Sequence, residues 1–190
     1  MSNFQFLRRE FSPLYNPAAG AEQLVQTDPR AACMRIRHAL ERAVHWLYDY
    51  DRSLHRPYDR GLNALLTQPE FEALLPPPVY QKARLIQKQG NQAVHSSRPI
   101  KAADAQLLCR ELFHVLFWLA RTYTRESDPK TLDAAFDASL IPWLVSSDQA
   151  VTLTREALKR QEAEFADKLA AERADLDERE AAIARRTRSL

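Results

Sequence analysis

The stretch that most constrains this 190-residue chain is Tyr80 to Ser97, YQKARLIQKQGNQAVHSS. Taken as a helix, it places Val79, Ala83, Ile86, Gly90 and Val94 at intervals of four, three, four and four, which makes one apolar stripe. Arg84, Lys88, Asn91 and His95 form a second stripe at the same spacing, roughly 140° round from the first at ~100° per residue. The first stripe must be covered by other helices. The second is a separate basic, hydrogen-bonding face, and whatever the domain does is expected to involve it.

The neighbouring segments supply the cover. Asp28-Pro29 pairs an N-cap residue with a proline in the first helical turn, and the helix it opens is expected to reach about Tyr50. Ile36, Leu40, Ala43, Val44 and Leu47 form its core stripe, while Arg35, His38 and Arg42 share another face. Pro76, Pro77 and Pro78 lead into the central helix, which His95 to Pro99 closes. The next helix is expected over Ala102 to Tyr123. Leu108, Leu112, Val115, Leu116 and Leu119 repeat at helical spacing there, and Phe113, Phe117 and Trp118 widen the band, so this element should be the most buried. Two short helical pieces, Leu62–Leu66 and Pro69–Leu75, lie between. Near the N-terminus, Phe4, Phe6, Leu7 and Phe11 read as a segment packed on the body. Pro13 and Pro17 are expected to break the helix there, with a second helix from Pro17 to Val25.

The predicted fold class is therefore all-α: a helical bundle over residues 1–126, a connector over 127–146, and a long charged coiled-coil-like helix over 147–190. In that last part Leu158 and Phe165, then Leu169, Leu176, Ile183 and Leu190, recur at intervals of seven after one step of four. Glu172 and Arg179 hold the companion position, so the seam is weak. The final RRTRSL has no capping signal. The expectation is that this is a truncated linker whose protein continues.

Several function classes are excluded by pattern. No run of about 18 apolar residues exists, and MSNFQFLRREF has no signal-peptide core, so no membrane partner is expected and the reading is cytoplasmic. Cys33 and Cys109 are too few and too far apart for a disulfide framework or a zinc motif and read as core thiols. Three glycines cannot build a phosphate loop, and there is no Walker lysine, HExxH or GxSxG pattern. His38 and His45 are seven apart, the wrong spacing for a metal pair, and His114 reads as a satisfied core or boundary histidine. No metal and no cofactor is expected.

Net charge is +2 but uneven: residues 1–126 carry 17 basic against 12 acidic residues, and residues 127–190 carry 10 against 13. No acid occurs over residues 73–103, where Lys82, Arg84, Lys88, Arg98 and Lys101 are all basic. The candidate nucleic-acid-binding set is Arg84, Lys88, Asn91, His95, Arg98 and Lys101. The same excess fits a solvated face, because no aromatic residue interleaves with the charges. Asn91 and His95, four apart on one face, are the alternative catalytic pair, imidazole serving as acid or base and the amide orienting it or a phosphate. Against that stands a structural role, with His95 capping the helix and Asn91 bonding a neighbouring loop.

From MSNFQFLRREFSPLY through RHALERAVHWLYDYD to ARLIQKQGNQAVHSSRPI and ELFHVLFWLARTY, residues 1–125 resemble the amino-terminal helical domain of type I restriction endonuclease R (HsdR) subunits. The resemblance implies a non-catalytic interaction or DNA-positioning domain. A charged linker, a nuclease domain and an ATP-driven DNA-translocating motor would follow in such a subunit, with DNA and other restriction-modification subunits as partners. The chain is also faintly similar to the HEPN superfamily, in which an Arg and a His frame a ribonuclease motif, often with Asn after the Arg. Asn91 and His95 match that pattern, but Gly90 stands where the Arg would be. That resemblance implies, as the alternative, an HEPN-like ribonuclease acting as a dimer in phage defence; a further alternative, which uses the charged tail, is a purely structural dimerisation module.

Overall fold

The computed structural model describes residues 1–95, 99–125 and 133–142. The charged helix expected over 147–190, and Arg98, lie outside them. Every regular element among the described residues is helical: α1 (Ser12–Glu22), α2 (Pro29–Tyr50), α3 (Leu62–Leu66), α4 (Pro69–Leu74), α5 (Pro77–His95) and α6 (Ala102–Tyr123), with 3-10 turns at Gln5–Leu7 and Ala138–Leu140. The long helices α1, α2, α5 and α6 form the bundle. Helix α2 packs against the other three, and α5 is wedged between α2 and α6. No helix among the described residues is long and apolar enough to cross a membrane.

Local chemistry sets the helix ends. The Asp28 carboxylate accepts from the Ala31 backbone N–H at 2.9 Å, closing the open end of α2. At the start of α5, Val79 N and Tyr80 N both donate to Pro76 O, at 2.8 and 3.0 Å. Pro77 and Pro78 thus sit in the first turn, where a missing N–H leaves nothing unpaired. At α6, Lys101 N donates to Asp104 Oδ2 at 3.3 Å.

Pro17 does not break the N-terminal helix as expected; it lies inside α1. Pro13 falls in the first turn, so it costs no bond. Pro17 then removes a single N–H from the ladder, and the burial of Leu14, Ala18 and Ala21 against α2 outweighs that loss.

The core runs the length of the bundle, through Ile36, Leu40, Ala43 and Leu47 of α2, Ala83 and Ile86 of α5, and Leu112, Leu116 and Leu119 of α6. The N-terminal aromatic residues close one side. Phe6 meets Phe113 and Phe117 edge-on at 5.4 and 5.5 Å between ring centres. Residues 133–142 join the same unit: Ile141 is buried, and Asn3 and Asp137 exchange Nδ2–H···O and N–H···Oδ1 bonds at 2.9 and 2.6 Å.

One position of the expected apolar stripe is wrong. Ala83, Ile86 and Gly90 are buried, but Val94 is 50% exposed and Ala93 is buried instead. Helix α5 has to satisfy two neighbours, α2 and α6, so its buried sector steps from Gly90 by three residues rather than by four. The Ala93 carbonyl also accepts from Arg30 of α2 at 2.6 Å.

Candidate nucleic-acid interface

Three of the six expected residues share one face of α5. Lys88 is exposed, and Arg84 and Asn91 are half-buried. Arg84 donates to Oδ1 of Asn63, on α3, at 3.1 Å. The partner is a neutral amide, so the guanidinium is positioned without losing its charge. Lys101 is exposed at the start of α6, on a different helix. His95 is the last residue of α5.

Sequence reasoning missed a fourth member of this face, Arg37 of α2. Its stem lies directly on Gly90: a Cβ at that glycine would be 2.5 Å from Arg37 Cβ and 3.0 Å from Cγ and Cδ. Gly90 is there because nothing larger lets α2 come this close. The stem carries the guanidinium to Asn91, whose Oδ1 accepts from Arg37 Nε at 2.7 Å. Glu41, one turn along α2, sits 3.4 Å from Arg37 Nη1. Asn91 therefore bonds a helix rather than a loop, and a guanidinium occupies the neighbourhood of Gly90. A glycine on an apolar stripe is compatible with close approach of another helix. It could not identify Arg37, which is more than fifty residues away in the chain.

Lys82 does not belong to this face. It turns the other way and pairs with Glu111 of α6, a buried carboxylate. Glu111 also has Arg110 Nε at 3.3 Å and His114 Nδ1 at 3.7 Å. Burial alone would raise the Glu111 pKa, but the hydrogen bond and charge of Lys82, with His114 and Arg110, hold it below the usual glutamate value. The expectation of a satisfied His114 is corrected here. Its Nδ1 is buried and has no hydrogen-bond partner among the described residues, because 3.7 Å to the carboxylate is too long for one. Burial, then the charge of Lys82, lowers its pKa against the pull of Glu111.

Little else in the described residues offers chemistry. A cavity of about 230 Å³ lies between the end of α5 and the start of α6, with Cys33, Gln89, Gln92 and Asp104 in its wall. Burial, reinforced by Asp104, pushes the Cys33 thiol up to about 11, so it is not a nucleophile near neutral pH. Cys109 is buried and raised further. No group of three or more His, Cys, Asp or Glu side chains is placed to hold a metal among the described residues. What the α2–α5 face can do is bind anions: Arg84 and Lys88 present charge, and Arg37 and Asn91 present fixed donors.

A family model matches residues 19–139, well over half of the chain, and is described as a domain of unknown function, DUF4145. No curated protein and no solved structure matches.

Proposed function

The chain belongs to the DUF4145 family, and on that premise we propose that it is a non-catalytic nucleic-acid-positioning domain of a type I restriction endonuclease R subunit. The observation that carries the proposal is the α2–α5 face: Arg84, Lys88 and Asn91 on one side of α5, with Arg37 set beside them. Its α5 members lie in a span of chain, residues 73–103, that has no carboxylate of its own to neutralise them. Glu41 is the acidic residue within reach of Arg37. Such a surface gains affinity by displacing counterions from phosphates and carries no base code, which suits positioning rather than sequence reading. The resemblance of residues 1–125 to R-subunit amino-terminal domains supplies the biological setting. In that setting residues 147–190 act as a charged helical linker, the motor and nuclease reside in other parts of the subunit, and the protein works in the cytoplasm beside other restriction-modification subunits.

A titration of duplex DNA binding against salt tests this. Arg84→Ala/Lys88→Ala should weaken binding and flatten the slope of log K against log salt by roughly 0.9 for each phosphate no longer neutralised. If the double variant binds like the unmodified chain at every salt concentration, the face is solvated surface and the proposal fails.

Arg37 also favours a second reading, a ribonuclease of HEPN-like type. A cation fixed beside Asn91 could offset charge on a cleaving phosphodiester, with His95 as the proton carrier. Incubation with single-stranded RNA separates the two readings: cleavage that disappears in both Arg37→Ala and His95→Ala would replace positioning by catalysis.

A further inference from the structure

The loop between α2 and α3 carries a feature that the α5 face does not explain. Tyr58 is fully exposed, at 104%, in the sequence Arg56-Pro57-Tyr58-Asp59-Arg60. The loop that holds it is fixed by its own bonds. Leu54 is buried in the core. The Asp51 carboxylate accepts from Ser53 N at 2.9 Å and Ser53 Oγ at 2.6 Å, and Asp59 Oδ1 accepts from Gly61 N at 2.8 Å. Arg56 is clamped by Asp49 and by the His45 carbonyl. Asp59 thus serves the loop's own backbone, and Asp51 serves both the loop and the Tyr123 hydroxyl of α6, at 2.5 Å. Arg52 and Arg60 are exposed and make no ion pair among the described residues.

We propose that Tyr58, with Arg60 two residues on, is a stacking platform for an unpaired base, which makes single-stranded nucleic acid a ligand of this domain. A short length of chain ties the platform to the α5 face. Asn63, five residues beyond Tyr58, receives the Arg84 bond, so Tyr58 lies at most about 18 Å of chain from that contact. A strand with its phosphates on Arg84 and Lys88 reaches the ring within a few nucleotides. Stacking on an aromatic face beside cations is the general means of holding single strands without reading sequence. A duplex has no free base face to offer. A protein partner fits less well, because Tyr58 is the large exposed apolar side chain of residues 51–61, and Tyr50 beside the loop, also exposed, is held in a stack on Trp46.

The inference rests on the nucleic-acid reading of the α5 face, and the experiment separates the two. Fluorescence anisotropy of the full 190-residue chain is measured with a labelled single-stranded oligonucleotide of about 12 bases, a length within the usual single-strand site sizes, as DNA and as RNA, and with the matching duplex. Tyr58→Ala should lower single-strand affinity about tenfold relative to duplex affinity, and Tyr58→Phe, which keeps the ring, should restore it. The ring touches no core, so folding is not at issue. If Tyr58→Ala binds single strands like the unmodified chain while Arg84→Ala/Lys88→Ala binds weakly, the platform is overturned and the α5 face stands. If no nucleic acid binds at any salt concentration, both are overturned. If single strands do not bind and Tyr58→Ala instead dissociates a dimer seen by sedimentation, the loop is a protein contact and the platform is likewise overturned.

Discussion

Arg37 Nε donates to Asn91 Oδ1 at 2.7 Å across a bare stretch of α5 backbone at Gly90. The bond ties the middle of α2 to the last turn and a half of α5 and fixes a guanidinium on the surface. It needs the two helices close together, and Gly90 is what allows that. A glycine inside a helix weakens it by about 1 kcal/mol relative to alanine, a cost accepted here for the close approach.

Gly90→Ala should therefore destabilise the domain although it improves helix propensity. The new Cβ would meet Arg37 Cβ at 2.5 Å, and a Cβ cannot swing away as a side-chain end can. Overpacking of this kind costs about 1–3 kcal/mol, against the ~1 kcal/mol gained in propensity. The expected outcome is a melting temperature lower by several degrees in thermal denaturation. A rise in melting temperature would show that α2 and α5 separate freely.

Lys82→Met should destabilise more than its position on a solvated helix suggests. It leaves the Glu111 side chain, 7% exposed, with Arg110 and His114 as its cationic neighbours. Leaving a buried carboxylate under-compensated costs roughly 1–3 kcal/mol. Replacing the pair together, as Lys82→Met/Glu111→Leu, should recover much of that loss. Urea denaturation of both singles and the double closes the cycle. Additive effects would mean that the pair is not coupled.

His114 gives the domain a stability that falls on mild acidification. Its folded pKa is lowered, so the folded state resists a proton that the unfolded chain accepts near pH 6.5. Stability is therefore full above about pH 7 and declines as pH drops through about 6.5. Glu111 has the same direction in a lower window. Its folded pKa is depressed, so its contribution is present above the unfolded value of about 4.3 and is lost below it, as pH falls through the folded pKa. His114→Gln should flatten the melting temperature between about pH 7.5 and 5 and leave the acid loss below about pH 4.3 in place. An unchanged profile over the upper of those two windows would remove His114 as its cause.

The long helices are legible because their signals are local. Asp28-Pro29, Pro76 to Pro78 and Pro99 mark ends, and Ile36, Leu40 and Leu47 or Leu108, Leu112 and Leu119 mark faces, all within one turn or a few of each other. What is not legible depends on partners far along the chain. Nothing near Lys82 shows that Glu111, 29 residues on, takes it off the basic face. Nothing near Gly90 names Arg37. Pro17 misleads for the opposite reason: a strong local breaker is overridden by the burial of Leu14, Ala18 and Ala21. Val94 follows from period alone, whereas the second neighbour of α5 decides its last turn.

Asn3 is another such residue, and it sets the final prediction. It reads as an ordinary polar residue near the N-terminus, yet it is 5% exposed and joins three parts of the fold. Its backbone N–H and its Nδ2 both donate to Glu22 Oε1, at 3.1 and 2.6 Å, at the end of α1. Its amide also exchanges the two bonds with the Asp137 backbone that hold residues 133–142 on the bundle. Glu22 is 2% exposed, so its carboxylate depends on these donors. Asn3→Ala keeps the backbone donor but removes the side-chain one from a buried acid and frees the Asp137 strut, at a cost of about 2–4 kcal/mol. Asn3→Asp should be worse, because it sets a second carboxylate against Glu22. Glu22→Gln should be milder than either, since an amide oxygen can still accept both bonds. Chemical denaturation should give the order Glu22→Gln, Asn3→Ala, Asn3→Asp from most to least stable. Hydrogen exchange should show faster exchange at the Asp137 amide in both Asn3 variants. An Asn3→Ala chain as stable as the unmodified one, with Asp137 still protected, would show that the apolar contacts of Ala134, Phe136 and Ile141 suffice to hold residues 133–142 in place.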